Sequence, residues 1–516
     1  MPPMSERGAL YFLSSQQRKV SHVNSLTFQP ELRPALPCVF ASKDYREFRA
    51  ILIEMDRILS VSGLENRFIV RQIKRLDQDN KSPLSFRRTQ RHARTFRLAL
   101  RYGILLAITD TSFRKLSRQV ADSILFQWFT HTSFVDGVRP VSKSSLERFE
   151  KIFPENELTS LIHDLTCAAG DKVIADQLLY RETALRFDKI FADSTCVKAN
   201  IHHPVDWILL RDATRTLAGA IAHIRKSGLR HRIGSPEKFI TEMNKLCIEM
   251  THTRKKKDGK KARKFIFRRM KRLMKTVERH ALNYSVLLEK HWTETDWSEL
   301  ETQVVLDRIQ NILVQLPQAI HQAHERIISE RRVPNSEKIL NLYESDIHVL
   351  VRGKADAETE FGNGLYLAEQ ADGLIVDWKF IQGQPPSDSK LVSTSIERIT
   401  QTYGKPESYT GDRGFDSANT RTDLEELEII NAICPRSVPM LREKLEDESF
   451  CRLQTRRGST EGRIGLFKNA YLGRPLRSKG FAHRKTRVEW CILGHNLWKL
   501  ATMAAQKREE IEAKLA

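Results

Sequence analysis

The sequence predicts an α/β protein in which a mixed sheet is flanked by helices, with an all-α N-terminal domain and a large helical insertion. The evidence is a change of hydrophobic period along the chain. Apolar residues recur at helical spacing over residues 205–334, and they alternate with a period of two after Pro334. A strand predicted over residues 189–199 precedes the helical block. The order is then β-β-β-α-β-α-β-α, with the block inserted between the first two strands, which is typical of a mixed sheet covered by helices.

Length and charge set the first limits on function. A chain of 516 residues is too long for one ordinary core and predicts two to four domains, or one domain with a large insertion. Lys and Arg number 85 against 64 Asp and Glu, which gives a net charge of +21. This excess favours a polyanionic partner, although a basic but solvated surface is the alternative. Membrane binding is disfavoured, because no apolar run approaches the ~20 residues of a spanning helix and the N-terminus lacks an apolar signal segment.

The seven cysteines are scattered along the chain and form no CxxC pair. This usage predicts a reducing cytoplasm and disfavours a zinc site or a disulfide framework. Cys196 lies close to an acid discussed below, but the local sequence supplies no base for a nucleophilic thiol. We therefore expect Cys196 to be a core residue.

The N-terminal part of the chain carries few chemical signals. Residues 1–85 mix short apolar stretches with Ser, Pro and Gln and do not support an assignment. We expect residues 86–180 to form a helical N-terminal domain, with Ser112 and Ser142 capping two of its short helices. Short helices separated by turns fit a helix-turn-helix-like module that binds DNA, a pattern that many small all-α domains share.

A basic segment lies within the helical insertion, which we assign to residues 206–334. Its cations alternate with apolar residues that would anchor a folded helix, although a nuclear-localisation signal or a solvated tail has a similar composition. The anchoring residues are Phe265, Phe267, Met270, Leu273 and Met274. We expect this helix to contact DNA phosphates. The cations assigned to that contact are Arg254, Lys255, Lys256, Lys257, Lys260, Lys261, Arg268, Arg269 and Arg272.

Three acids occupy positions that this topology would bring together. Asp193 lies within the first predicted strand, where an acid among apolar residues is costly unless it binds something positive. Asp412 ends a later short strand, and the glycines on either side of it let the backbone turn and expose the carboxylate. Glu461 lies on the last helix of the core and shares one helical face with Arg457 and Lys468.

The acids have the chemistry that a divalent cation requires. Mg²⁺ is a hard cation that takes oxygen ligands and keeps several waters, so carboxylates from separate elements could hold it beside a phosphate. Two ions of Mg²⁺ or Mn²⁺, about 3.5 to 4 Å apart, can stabilise the entering and leaving oxygens of an in-line displacement at phosphorus. Arg457 and Lys468 would keep Glu461 ionised and could bind DNA phosphates. Taken singly, each acid could be a solvated or capping residue, and Arg457 with Glu461 an ordinary surface pair.

Short motifs over most of residues 95–505 carry a family resemblance. They include Val-Arg-Gly-Lys-Ala at 351–355, Gly-Asp-Arg-Gly-Phe at 411–415 and Arg-Gly-Ser-Thr-Glu-Gly-Arg at 457–463. Further matching segments are 116–153, 360–363 and 494–498. Together these motifs resemble the bacterial insertion-sequence transposases of the DDE class, whose catalytic domain has an RNase H-like fold. The resemblance implies that Asp193, Asp412 and Glu461 are the metal ligands. We divide the RNase H-like core into residues 181–205 and 335–505, followed by a charged tail at 506–516.

The resemblance also implies an activity and its partners. The protein would bind the terminal inverted repeats of its own element, cleave a phosphodiester to leave a 3′-OH, and direct that hydroxyl at target DNA. It would form a homodimer in the synaptic complex and work in the bacterial cytoplasm, associated with the nucleoid when bound to DNA. Related transposases carry a Tyr where this chain has Gln454, so a DNA-hairpin route is left open. A catalytically inactive DNA-binding derivative, or an RNase H-like nuclease acting on RNA or a hybrid, are the alternatives.

Overall fold

The computed structural model describes residues 33–79, 84–134, 136–253, 258–354, 357–473 and 475–515. Over these ranges the chain has an α/β fold in which helices predominate. Its main sheet contains both parallel and antiparallel strand pairs. The predicted α/β class is therefore confirmed. Two short strands outside that sheet, β1 (Ser133–Phe134) and β2 (Gly137–Val138), form an antiparallel pair.

Eight helices precede the first long strand in the described part of the chain. They are α1 (Lys43–Val61), α2 (Leu64–Asp79), α3 (Phe86–Thr109), α4 (Phe113–Asp122), α5 (Ile124–Thr130), α6 (Lys143–Phe149), α7 (Glu157–Gly170) and α8 (Lys172–Leu179). The predicted caps are confirmed, because Ser112 accepts a hydrogen bond from the N–H of Lys115 and Ser142 accepts one from the N–H of Ser145. Helices α1 and α2 lie in a region whose sequence shows no clear pattern.

The last helix, α17 (Phe481–Leu515), packs the C-terminal part of the chain against the first described helices. It packs against α1, α3, α7 and α8, and its apolar residues share one core with those helices and with Leu365 and Phe380 of the sheet. The residues expected to form a charged tail continue this helix as far as Leu515. Arg508 there pairs with the buried Glu54 of α1 at 2.7 Å. The N-terminal helices and the C-terminal helix are thus packed as one unit.

In the main sheet, the strand that contains Asp193 lies next to the strand that ends before Asp412. Its strands are β3 (Lys189–Lys198), β4 (His348–Lys354), β5 (Ala357–Gln370), β6 (Ile375–Phe380), β7 (Ser408–Thr410) and β8 (Ile430–Asn431). The strand order is β4-β5-β3-β7-β8, and β6 also pairs with β5. Strand β5 is antiparallel to β3, β4 and β6, whereas β7 is parallel to both β3 and β8.

The glycines at 362, 364 and 373 predict turns by their residue type, but the first two lie within β5, which is therefore longer than predicted. A Cβ atom on Gly362 would lie 2.0 Å from the carbonyl oxygen of Val197 on β3. A Cβ atom on Gly364 would lie 2.8 Å from Pro385. These two positions require glycine because neighbouring groups approach closely, and the turn interpretation is wrong for both. Gly373, at φ +94°, does form the turn between β5 and β6.

Four helices form the insertion between β3 and β4. They are α9 (Asp206–Lys226), α10 (Pro236–His252), α11 (Gly259–His291) and α12 (Glu299–Ile327). Helix α9 packs against the other three, and their buried side chains form a hydrophobic core of their own. Pro317 lies inside α12, which continues on both sides of it. The predicted helical insertion is therefore present as a small bundle with an independent core.

The remaining helices cover the sheet and lead to α17. They are α13 (Val392–Tyr403), α14 (Ala418–Glu426), α15 (Val438–Lys444) and α16 (Glu448–Leu466), the last of which continues as a π-helix over Phe467–Leu472. Asp377 of β6 attaches α13 to the sheet through two hydrogen bonds of 2.7 Å from Arg398 and one of 2.6 Å from Ser395.

Two further expectations concern the membrane and the cysteines. Among the described residues, no helix combines the length and the apolar character needed to cross a bilayer. The seven cysteines are free thiols, and Cys196 is fully buried, as predicted. Desolvation by burial raises the pKa of the Cys491 thiol to about 11, so this thiol of α17 is held protonated in the core.

The close approach of β3 and β5 at Gly362 gives a first prediction. We expect Gly362→Ala to lower the stability of the fold by about 1 to 3 kcal/mol, because the added methyl group overlaps a backbone oxygen that cannot move independently. Gly219→Ala is the matched control, since Gly219 is exposed on α9 with nothing near its Cβ position and alanine favours helix. Thermal unfolding measures the effect, and equal midpoints for Gly362→Ala and the parent would contradict it.

Candidate active site

Asp193 and Asp412 lie at the same level of two adjacent strands. Phe191 of β3 pairs with Thr410 of β7 in parallel register, and each aspartate follows its paired residue by two positions. The backbone is still extended at Asp412 (φ −80°, ψ −177°), so the register carries through to it. Adjacent strands are ~4.8 Å apart, and side chains two positions apart project from the same face. The sheet therefore brings the first two predicted ligands together.

Each aspartate is half-buried and is oriented by a backbone amide. Asp193 Oδ1 accepts a 2.7 Å hydrogen bond from the N–H of Ser194. Asp412 Oδ1 accepts one of 2.7 Å from the N–H of Gly414, which caps a short 3₁₀ turn. Amide donors stabilise the ionised form of a carboxylate. Both acids are thus fixed in position while remaining accessible from solvent.

A third aspartate that sequence reasoning missed lies beside Asp412. Asp388 and Asp412 each place a carboxylate oxygen 2.9 Å from the position that a Cβ atom on Gly414 would take. Asp388 opens a short 3₁₀ helix before α13, where its sequence context is that of an ordinary loop acid. A Cβ on Gly414 would press against both carboxylates, so glycine at this position keeps the space between them open.

Helix α16 carries Glu461 across the strand that holds Asp193. Arg456 lies over the ring of Phe191 at 4.5 Å, and Lys468 Nζ donates a 3.0 Å hydrogen bond to Thr195 Oγ1. Phe191 and Thr195 flank Asp193 on the same face of β3. Glu461 lies between Arg456 and Lys468 along the chain, so it belongs to the part of the helix that crosses β3.

The carboxylate of Glu461 is engaged with a neighbouring cation. Arg457 Nη1 donates to Glu461 Oε1 at 2.7 Å, and the Glu461 side chain is 57% exposed. Throughout the described ranges, no three His, Cys, Asp or Glu side chains gather closely enough to form a ready metal-binding group. The structure therefore does not bring Glu461 together with the two aspartates as a ready metal-binding group, and Glu461 is paired with Arg457.

Gln454 has a structural role in this site. Its Nε2 donates to the carbonyl oxygens of Gly411 at 3.2 Å and Ala432 at 2.6 Å. Its Oε1 accepts a 3.0 Å hydrogen bond from Nε of Arg457. Gln454 therefore links α16 to the ends of β7 and β8 and orients the arginine that holds Glu461.

A buried glutamate fixes the rotation of α16 on the sheet. Glu369 of β5 is 4% exposed. Its Oε1 accepts hydrogen bonds from Thr460 at 2.7 Å, Arg463 at 2.7 Å and Arg456 at 3.0 Å. Burial lowers the pKa of Arg456, and the charge of Glu369 opposes that shift. The three donors surround Glu461 in sequence, so Glu369 is a positioning residue that sequence analysis missed, although it is an acid in an apolar strand as Asp193 is.

The packing of α11 confirms four of the five apolar residues predicted to anchor this basic helix. Phe267, Met270, Leu273 and Met274 are buried as the anchors of the helix, but Phe265 is 58% exposed, so its assignment as an anchor is wrong. Phe265 fails because it falls between the exposed cations on the helical wheel, whereas the other four share the opposite face.

The predicted DNA-contacting cations differ in their surroundings. Lys261, Arg268 and Arg272 are exposed and recur at a spacing that places them on one face of α11. Lys260 pairs with Glu330 at 3.0 Å and Arg269 pairs with Glu249 at 3.3 Å. The assigned residues 254–257 lie outside the described part of the chain.

The position of α16 gives a second prediction. In Glu369→Gln, two arginines lose their buried carboxylate, so we expect a loss of about 2 kcal/mol, moderated because both guanidinium groups retain some contact with water. Amide hydrogen exchange within α16 should accelerate, because the helix loses its attachment to β5. Glu426→Gln, at an exposed position of α14, is the control. Unchanged exchange across Glu448–Leu466 in Glu369→Gln would show that other contacts hold the helix.

Comparisons with known proteins complete the description of the site. No protein-family model matches the chain, and neither a curated protein nor a solved structure matches it. Support for a function comes from the chain's own residues, namely the paired aspartates, the glutamate on the neighbouring helix and the basic insertion.

Proposed function

We propose that this protein is a DNA transposase of the DDE class, with an RNase H-like catalytic core. The observation that supports the proposal is the parallel register of β3 and β7, in which Phe191 pairs with Thr410 two residues before Asp193 and Asp412. The mixed sheet, its helical cover and the insertion after β3 support the proposal, although four strands, β3 to β6, precede α13 where the sequence predicts three. Fold alone does not determine function, so the proposal rests on the residues of the site.

The acids fit a hard divalent cation by the chemistry of their donors. Asp193, Asp412 and Glu461 would hold Mg²⁺ or Mn²⁺, in a site for two ions, because carboxylate oxygens are the ligands such cations prefer. When bound, the ions lower the pKa of water and stabilise charge on the entering and leaving oxygens at phosphorus. In this account Glu461 exchanges its contact with Arg457 for the site, and Arg457 becomes available to a DNA phosphate.

The proposed reaction needs two displacements at phosphorus. In the first, water attacks a phosphodiester at the element end, and the P–O bond to the 3′ oxygen breaks to leave a 3′-OH. In the second, that hydroxyl attacks a target phosphodiester, forming one P–O bond as another breaks, with its proton passing to solvent. Lys468 beside Thr195 and Arg457 beside Glu461 are placed to hold phosphate oxygens during both steps.

Cations near the sheet and on the insertion support double-stranded DNA as the partner. A cleft of about 990 Å³ lies where the insertion meets the core, and its lining includes Arg211, Arg215, Arg308 and Lys479. Helix α11 carries further exposed cations. The proposal includes element ends and target DNA as substrates, a homodimer that bridges two ends, and action at the bacterial nucleoid.

Catalysis gives the third prediction. We expect Asp193→Asn, Asp412→Asn and Glu461→Gln each to reduce Mg²⁺-dependent cleavage of element ends by more than about 100-fold, because each removes a charged ligand. Binding to the same DNA should persist, since the basic surfaces are unchanged. Glu443→Gln, an exposed residue of α15, is the matched control.

The outcomes of that experiment separate the candidate functions. Cleavage by Asp412→Asn at the rate of the parent protein would exclude the proposed mechanism. DNA binding without cleavage by the parent would favour a catalytically inactive derivative of a transposase. Cleavage of an RNA–DNA hybrid in preference to duplex DNA would favour the nuclease alternative.

DNA binding by α11 gives the fourth prediction. Replacing Lys261, Arg268 and Arg272 together by Ala should weaken binding to all DNA sequences alike, because these side chains would bind the backbone and not the bases. The dependence of log K on log salt should flatten by roughly one unit for each phosphate that the variant no longer neutralises. Titrations of two unrelated duplexes over a range of salt concentrations measure both effects, and parallel salt plots for variant and parent would rule out this role for α11.

A further inference from the structure

A cavity of about 840 Å³ opens in the insertion, between the start of α11, the end of α12 and the segment that follows α12. Trp207 and Val333 form part of its wall. Six cationic side chains line it, against one carboxylate, that of Glu330. These cations are Lys260, Arg263, Arg326, Arg331, Arg332 and Lys338.

Carboxylates neutralise only part of this charge. Arg326 pairs with Asp206 at 2.8 Å, and Arg331 pairs with Glu325 at 2.7 Å. Lys260 shares Glu330 with a neighbouring lysine. A cavity that keeps an excess of cations is an environment in which an anion is stabilised.

The other three cations of the cavity are less well compensated. Within the part of the chain that the structure describes, no salt bridge is formed by Arg263, Arg332 or Lys338. Nε of Arg263 is buried and has no hydrogen-bond partner there. Desolvation and the charges of Arg326 and Arg332 lower the pKa of Lys338, with Asp206 opposing them, so positive potential is felt inside the cavity.

Glu330 occupies this cationic environment in an unusual conformation. Its backbone has φ +56°, a left-handed conformation that costs a residue other than glycine about 1 kcal/mol or more. The carboxylate lies between Lys260 at 3.0 Å and Lys264 at 2.9 Å. Hydrogen bonds from Lys264 and Lys260 lower the pKa of Glu330 to about 2, so it is ionised at neutral pH. Glu330 therefore occupies one cation of the cavity, Lys260, together with the neighbouring Lys264.

We propose that this cavity binds phosphate groups of the DNA backbone and that Glu330 competes with DNA for its cations. The choice of DNA rests on the proposed transposase function. A volume of about 840 Å³ is far larger than one phosphate needs and is open to a stretch of backbone. Lys260 of the cavity directly precedes Lys261, the first of the three exposed cations on one face of α11, so the cavity lies at the end of α11 where those cations begin.

The test compares two double variants with equal loss of charge. Arg332→Gln with Lys338→Gln removes two cations of the cavity, whereas Lys245→Gln with Lys290→Gln removes two exposed cations elsewhere in the insertion. The affinity of the full chain for a short duplex of arbitrary sequence is measured over a range of salt concentrations. For the cavity variant we expect an affinity about tenfold lower and a salt slope smaller by about two units. Equal slopes for the two double variants would overturn the proposal.

Glu330→Gln should change the affinity for duplex DNA in the opposite direction. Removing the internal competitor should tighten duplex binding by about threefold. The same substitution in the Arg332→Gln, Lys338→Gln background should give a smaller gain, because fewer cations are released. Unchanged or weaker binding by Glu330→Gln in the otherwise native chain would refute competition.

A final arm distinguishes DNA from a free nucleotide and separates the two proposals. Millimolar deoxyadenosine monophosphate should leave the duplex bound to the parent protein. If the nucleotide displaces the duplex from the parent but not from the cavity variant, the cavity binds a nucleotide and the DNA assignment is overturned. If the parent binds no duplex, the proposed function fails. If the parent binds duplex and the cavity variant binds it equally well, only the cavity proposal fails.

Discussion

The parallel pairing of β3 with β7 is the contact on which the candidate site depends. Its register pairs Phe191 with Thr410, two residues before Asp193 and Asp412, although more than two hundred residues of chain separate the two acids. A shift of one residue would turn one carboxylate to the other face of the sheet. The close approach of Gly362 to β3 fixes the other edge of that strand. The insertion can therefore be long, because the sheet and not the connection determines where the acids meet.

Helix α16 is attached to the sheet by several hydrogen bonds, whereas its Glu461 side chain makes no such attachment to the sheet among the contacts described above. Glu369 and Gln454 attach α16 to β5 and to the ends of β7 and β8. Glu461 itself is exposed and bound to Arg457 through a pair of the kind that is easily exchanged in water. Under the proposed function, Glu461 would leave Arg457 to bind a cation, and Arg457 would then be available to a DNA phosphate.

Sequence patterns predicted the insertion, the mixed sheet and the buried face of α11, because these depend on local period. They did not reveal that α17 packs against α1, since contacts between the two ends of the chain leave no local pattern. They misplaced Gly362, whose requirement is a neighbouring strand and not a turn. Glu369 carried the same signal as Asp193, and only its three donors distinguish a positioning residue from a ligand candidate.

The most direct test of the proposed chemistry is cleavage of end-labelled DNA taken from the two borders of the mobile element that, under the proposed function, encodes this chain. The purified protein, with Mg²⁺, should nick the DNA at the terminal repeats and leave a 3′-OH at each element end, and the activity should disappear when the cation is chelated. Mapping both strands then shows whether the second strand is cut. Cleavage that persists without divalent cation, or that ignores the element ends, would contradict the assignment of the carboxylates.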